Sequence, residues 1–238
     1  MILLALAVAP GLAISMLIYA LDKYEREPLG LLLKCFFLGM ASIILPLIVQ
    51  SSALMFGFSE SGDTLFNTAF FAYAVVALSE ELAKFLVLYL YAYPKKAFNE
   101  PFDGIVYAVM IGMGFATLEN IAYVAKYGMG TGVARMFLSV PAHGAFAVLM
   151  GYYVGLAKFL PHKKEELLRK GLLVAVFFHG TYDFFLFTGN NLFFFGAALV
   201  TLVFAIRNSI RAIKKDRALS EKLHDNNYFN EEDNRGQS

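Results

Sequence analysis

Residues 70–91, FFAYAVVALSEELAKFLVLYLY, constrain this chain more than any other stretch. The segment is long and apolar enough to cross a bilayer, whose core of ~30 Å asks for roughly 20 apolar residues. Yet Glu80, Glu81 and Lys84 sit at its centre. Each ionisable residue at the midplane costs about 2.5–3.5 kcal/mol on insertion scales. Three within five positions are retained only where they face a protein interior and act there. On a helix Lys84 is an i,i+4 neighbour of Glu80 and an i,i+3 neighbour of Glu81, so its ammonium can reach either carboxylate. Lys84 can then neutralise one glutamate and leave the other as a proton acceptor.

The rest of the chain fits the same setting. Hydrophobic residues make up 58% and charged ones 16%, which excludes an ordinary soluble domain. Repeated apolar runs place the chain in the all-α polytopic membrane class. A single cysteine, Cys35, excludes an intramolecular disulfide and a cysteine-rich metal cluster. Residues 2–20 lack a basic leader and a small-residue cleavage site before Asp22, so they read as a retained first span rather than a signal peptide.

About seven spans are expected, near residues 2–20, 29–49, 65–91, 104–124, 133–159, 171–187 and 192–206. Pro46 is expected to kink the second near its far end. Gly104, Gly112, Gly114 and Ala116 form a stripe in the fourth that permits close helix approach. Basic residues concentrate after spans one, three and five and after the last. The positive-inside rule therefore places those loops and the C-terminus in the cytoplasm and the N-terminus outside. Only Lys126 and Arg135 disagree with that assignment. The expected organisation is a transmembrane domain over residues 1–210 and a polar, disordered cytoplasmic tail over residues 211–238.

Five more polar side chains lie within spans: Glu119 and Asn120 in the fourth, His143 in the fifth, His179 and Asp183 in the sixth. At ~1.5 Å per residue they fall, with Glu80 and Glu81, between the midplane and the outer third of the bilayer. Spans three to six can therefore line one cavity opening outward. His179 and Asp183 are i,i+4, so the carboxylate can fix the imidazole tautomer. Phe115 and Glu119 share that spacing, which would pack an aromatic ring beside the carboxylate. The basic loops and tail need no nucleic-acid partner, since apposition to anionic membrane lipid accounts for them.

At these residues the chain resembles the PrsW family of intramembrane proteases. The family's marks are EExxK, FxxxE, a lone intramembrane histidine and HxxxD. Here they read Glu80-Glu81-Leu82-Ala83-Lys84, then Phe115 to Glu119, then His143 in PAHGAF, then His179 to Asp183. The early DKYEREPL and the stretch FDGIVYAVMIGMGFATLENIAY also look like the family. The more distant CAAX prenyl proteases carry EExxxR, FxxxH and HxxxN, from which this chain departs at Lys84 and Glu119. The resemblance implies a protease domain in a bacterial cytoplasmic (plasma) membrane. It also implies endoproteolysis of a single-pass membrane protein, such as an anti-sigma factor, cut on its outer side to release a stress response.

Peptide hydrolysis needs an activated water, a stabilised oxyanion and an acid for the leaving amine. No serine–histidine–aspartate set is visible, so a carboxylate, a metal or both must activate the water. In the glutamate version Glu80 or Glu81 takes the proton, Glu119 and His143 orient the water, and His179 held by Asp183 stabilises the oxyanion. Lys84, Phe115 and Asn120 support them. In the metal version His143, His179 and a glutamate, Glu119 being one choice, form a three-ligand zinc site. With no HExxH-like pair in the sequence, metal-free glutamate chemistry is slightly favoured over a single Zn. The main rival class is a proton-coupled transporter or channel using the same Glu, His and Asp relay. A haem or quinone protein and a non-catalytic scaffold are the others.

Overall fold

The computed structural model describes residues 2–60, 64–189 and 191–236, with side chains described as far as Asp225. It is helical with no strand among the described residues. In chain order the helices are α1 (Ile2–Leu21), α2 (Leu29–Ala41), α3 (Ile44–Met55), α4 (Leu65–Phe70) and α5 (Leu78–Val87). They are followed by α6 (Pro101–Tyr127), α7 (Met129–Phe137), α8 (Ser139–Phe159), α9 (Lys164–Thr188) and α10 (Leu192–Gly236). Six stretches are long and apolar enough to cross a membrane, with α2–α3 joined as one and α7–α8 as another. The remaining expected span, the third, residues 65–91, is helical throughout and carries the central charges. Leucines and phenylalanines such as Phe37, Phe66, Leu90 and Phe204 stand exposed on the bundle's outside, where a lipid solvent suits them.

The pillar of the bundle is α6. It starts cleanly because Pro101 suits the first turn and Asp103 caps it, accepting from the Asn99 and Glu100 backbone N–H groups at 2.7 Å each. Nearly every residue from Pro101 to Thr117 is buried. The small-residue stripe explains how. Gly104 faces Gly151 and Gly155 of α8, Gly112 faces Ala147, and Gly114 meets the Phe36 carbonyl of α2. Side chains at these positions would force α8 and α2 away from α6.

The residue 65–92 rod is α-helical only in part. Phe71–Ala77 and Leu88–Ala92 are π-helical and bracket α5, the turn bearing Glu80, Glu81 and Lys84. Ser79 bonds back to the carbonyls of Val75 and Val76 at 2.5 and 3.1 Å, taking up backbone acceptors where π returns to α. Such widened turns recur at functional sites.

Two span boundaries are corrected, and one helix runs through the expected domain boundary. The second span breaks at Ser42 and Ile43 rather than at Pro46, which sits in the first turn of α3. Ser42 Oγ donates to the Gly39 carbonyl at 2.8 Å, closing α2 there. The fifth span is also broken, at Leu138 (φ −116°, ψ −72°), which separates α8 from the short helix α7. The domain boundary drawn at residue 210 falls inside α10. Ala205, Ser209, Ala212, Asp216 and Ser220 are all buried, a spacing that lays one helix face on the bundle. Small and polar side chains hid that face in the sequence. Residues 237 and 238 of the expected tail lie outside the described residues.

The two ends of the bundle differ in chemistry. At the end carrying the loop after α1, Asp22, Glu27, Glu100 and Asp103 are buried, and Tyr107 Oη donates to Glu27. The end carrying the start of α1 holds the cavity.

Candidate functional site

A cavity of about 460 Å³ opens between α3, α6, α7 and α9. Its apolar wall includes Pro46, Leu47, Val76, Phe146 and Phe187. Its polar lining includes Gln50, Glu80, Glu119, Arg135, His143, His179 and Asp183. The side chains singled out from sequence therefore converge, although they come from four separate helices.

Glu81 is the anchor beneath this lining. Fully buried, it accepts through one oxygen, Oε1, from Lys84 Nζ at 2.6 Å and from His179 Nδ1 at 2.7 Å. An ion pair this deep survives only with such hydrogen bonding. Holding the proton on His179 Nδ1 leaves Nε2 facing Asp183 Oδ2 at 3.1 Å and Glu80 Oε2 at 4.0 Å. The Asp183 contact expected from the i,i+4 spacing is present, but the buried orienter of the ring is Glu81. Phe146 stacks on His179 with ring centres 5.1 Å apart.

His143 is set by a second carboxylate. Its Nε2 lies 3.0 Å from Glu119 Oε2, and its Nδ1 lies 3.3 Å from Lys84 Nζ. An ammonium can only donate, so Nδ1 is the acceptor and Nε2–H donates to Glu119. Phe115, like Glu119, lines the cavity. Its buried ring takes Lys84 Nζ at 4.4 Å and lies 5.9 Å from His143, a cation–π contact in a dry setting.

Glu80 is the least constrained acid. Gln50 Nε2 donates to its Oε1 at 3.3 Å, whereas the buried Oε2 has no hydrogen-bond partner. A carboxylate oxygen of Glu80 and one ring nitrogen each from His143 and His179 lie within 4.8 Å of one another. Two imidazoles and one carboxylate form a donor set suited to a catalytic zinc site with an open position, and an orphaned oxygen on that carboxylate fits a ligand role. The carboxylate that joins the histidines is Glu80 rather than Glu119, which Arg135 holds from the other side.

Two lining residues escaped sequence reasoning. Gln50 is the lone amide in the apolar run IILPLIVQSS. Arg135 donates from Nη2 to Glu119 Oε2 at 2.7 Å and from Nε to Asn120 Oδ1 at 3.0 Å. Asn120 in turn donates to the Ala7 carbonyl of α1 at 3.0 Å. The disagreement of Arg135 with the charge rule was the available signal.

A family model described as PrsW family intramembrane metalloprotease matches residues 27–207. A Protease PrsW of Geobacillus kaustophilus (strain HTA426) is 35% identical over 213 residues, covering 89% of this chain and 92% of that protein. A Protease PrsW of Bacillus subtilis (strain 168) is 32% identical, covering 92% and 97%. One from Clostridioides difficile (strain 630) is 34% identical, covering 77% and 79%. No solved structure matches the chain.

Proposed function

The chain belongs to the PrsW family of intramembrane proteases, and from that premise we propose that it cuts a single-pass membrane protein at a peptide bond near the outer leaflet, using a centre built on Glu80, His143 and His179. As a family member it is a multi-pass membrane protein and a peptidase, which decides against the transporter weighed from sequence. The observation that carries the proposed centre is the convergence of a Glu80 carboxylate oxygen with one ring nitrogen each of His143 and His179.

Glu80, His143 and His179 would together hold a divalent ion. Such an ion supplies Lewis-acid polarisation to the scissile carbonyl and the attacking water. The missing HExxH pair favoured metal-free chemistry, but donors from three separate helices need no such pair. The chain's own groups are arranged to serve the reaction. Glu81 holds the proton on His179 Nδ1 and leaves Nε2 bare, while Glu119 holds the proton on His143 Nε2 and leaves Nδ1 as the acceptor, a nitrogen that Lys84 Nζ would have to release for an ion to bind. Asp183 and Glu119 line the cavity; Asp183 stands beside the bare His179 Nε2, and Glu119 is held by His143 through one oxygen. The other oxygen is left to take a proton from water or pass it to the departing amine. Phe146, Val76 and Phe187 keep the surroundings apolar, which strengthens every polar interaction inside.

The positive-inside orientation puts the cavity towards the outer side of a bacterial plasma membrane. A single-pass protein such as an anti-sigma factor, cut there to release a stress response, suits that depth. Co-expression with tagged single-pass membrane proteins tests the reading. A product made by wild type and missing with Glu80→Ala or His179→Ala, both still inserted, is expected. Products indifferent to both substitutions would overturn it.

A further inference from the structure

We propose that Arg135 is a positioning residue of the hydrolytic centre, acting through Glu119 on the ring of His143. The inference rests on the proteolytic reading above and adds a residue that none of the sequence motifs contains.

The chain makes a deliberate detour to deliver this guanidinium. Gly128 adopts φ +81° between α6 and α7, a conformation that other residues rarely take. Gly132 then lets α7 settle on α6 and α1, since a Cβ there would stand 3.0 Å from Val124 Cγ2 and 3.6 Å from Leu6 Cβ. The last turn of this short helix places Arg135 over the Tyr123 ring, 4.0 Å from its centre.

From that seat the planar fork reaches two acceptors at once, Glu119 Oε2 through Nη2 and Asn120 Oδ1 through Nε. Asn120 is pinned to the backbone of α1. The carboxylate oxygen that Arg135 grips is the one that accepts from His143 Nε2. Position therefore passes from α1 through Asn120 and Arg135 to Glu119, and from there to His143, whose Nδ1 is left as the acceptor facing Lys84. Without Arg135, Glu119 is free to swing into the open cavity, and His143 loses the acceptor that sets its tautomer. A lysine restores the charge but not the two-point fork.

The test uses full-length protein in detergent and the histidine reagent diethylpyrocarbonate, with each histidine's modification followed by peptide mapping. In Arg135→Gln, His143 is expected to label several-fold faster than in wild type, with His179 unchanged. Arg135→Lys should fall between the two. The double variant with Glu119→Gln should label no faster than Glu119→Gln alone, because both act along one path. In parallel, cleavage of a membrane-anchored reporter by Arg135→Gln should lose about 10–100-fold in kcat, the range for residues that orient a metal ligand, with KM unchanged. Unaltered His143 labelling would overturn the proposal. So would His143 and His179 rising together, which marks general loosening, or a raised KM with kcat intact, which assigns Arg135 to substrate contact. If wild type cleaves nothing, the proteolytic reading fails while the labelling still decides whether Arg135 positions His143.

Discussion

His179 Nδ1 lies 2.7 Å from Glu81 Oε1, in the same carboxylate grip that holds Lys84 Nζ at 2.6 Å. The two adjacent glutamates of one helical turn are thereby divided in role. Glu81 ties α5 to α9 from below through Oε1, while Glu80 is the one of the two that lines the cavity.

That division separates activity from stability. Glu80→Gln should remove cleavage by about 10²–10⁴-fold and leave the unfolding temperature near that of wild type. Glu81→Ala leaves Lys84 without its close partner and should cost about 3–5 kcal/mol of stability, the range for breaking a buried ion pair. Activity assays beside thermal unfolding in detergent check the contrast. Equal effects of the two changes on both readouts would contradict it.

The donor set makes a prediction for metal content. Protein purified without chelator should hold about one divalent transition ion per chain, lose activity on chelation and regain it with zinc. His143→Ala and His179→Ala should lose the ion along with the activity. Elemental analysis of the three proteins gives the answer.

Helix approach predicts opposite signs for two glycines. A Cβ at Gly104 would land on the Gly151 carbonyl, so Gly104→Ala should cost about 1–3 kcal/mol. Gly196 lies inside α10 with nothing within 4 Å of a Cβ. Gly196→Ala should stabilise by up to about 1 kcal/mol, the helix-propensity difference. Thermal unfolding of the two variants reads both.

The opposite end of the bundle carries a pH dependence. Burial pushes the Glu27 carboxyl from its ordinary 4.5 up to about 7, against the hydrogen bond from Tyr107. A carboxyl with a raised folded-state pKa binds its proton more tightly when folded. Its contribution is then fully present below about 4.5 and is lost as pH rises through about 7. Stability measured across that window should fall less in Glu27→Gln than in wild type. A wild-type slope that the substitution leaves unchanged would rule Glu27 out as its source.

Much of the site was legible because a membrane penalises every ionisable group it buries. Glu80, Glu81, Lys84, Glu119, His143, His179 and Asp183 each stand out from an apolar run, and the depths expected for them from span position agree. What stayed hidden depends on contacts between residues far apart in sequence. Nothing near Glu81 says that it meets His179 rather than leaving that ring to Asp183 four residues along. Gln50 carries no charge and Arg135 lies among loop-like glycines, so neither has a local mark of its role. The breaks at Ser42 and Leu138 leave no mark in the sequence, because an apolar pattern reads the same whether a helix is one piece or two. The buried face of α10 was missed because its alanines, serines and aspartate look like a solvated tail.

The central claim is that Glu80, with the two histidines beside it, forms the centre that hydrolyses a membrane-anchored protein. The most direct measurement places the purified chain and a single-pass substrate in liposomes made up in water enriched in ¹⁸O, with mass spectrometry of the product. Wild type should yield one new C-terminal carboxylate carrying ¹⁸O, and Glu80→Gln should yield none. Product formed equally by Glu80→Gln, or a new terminus without the label, would contradict the account.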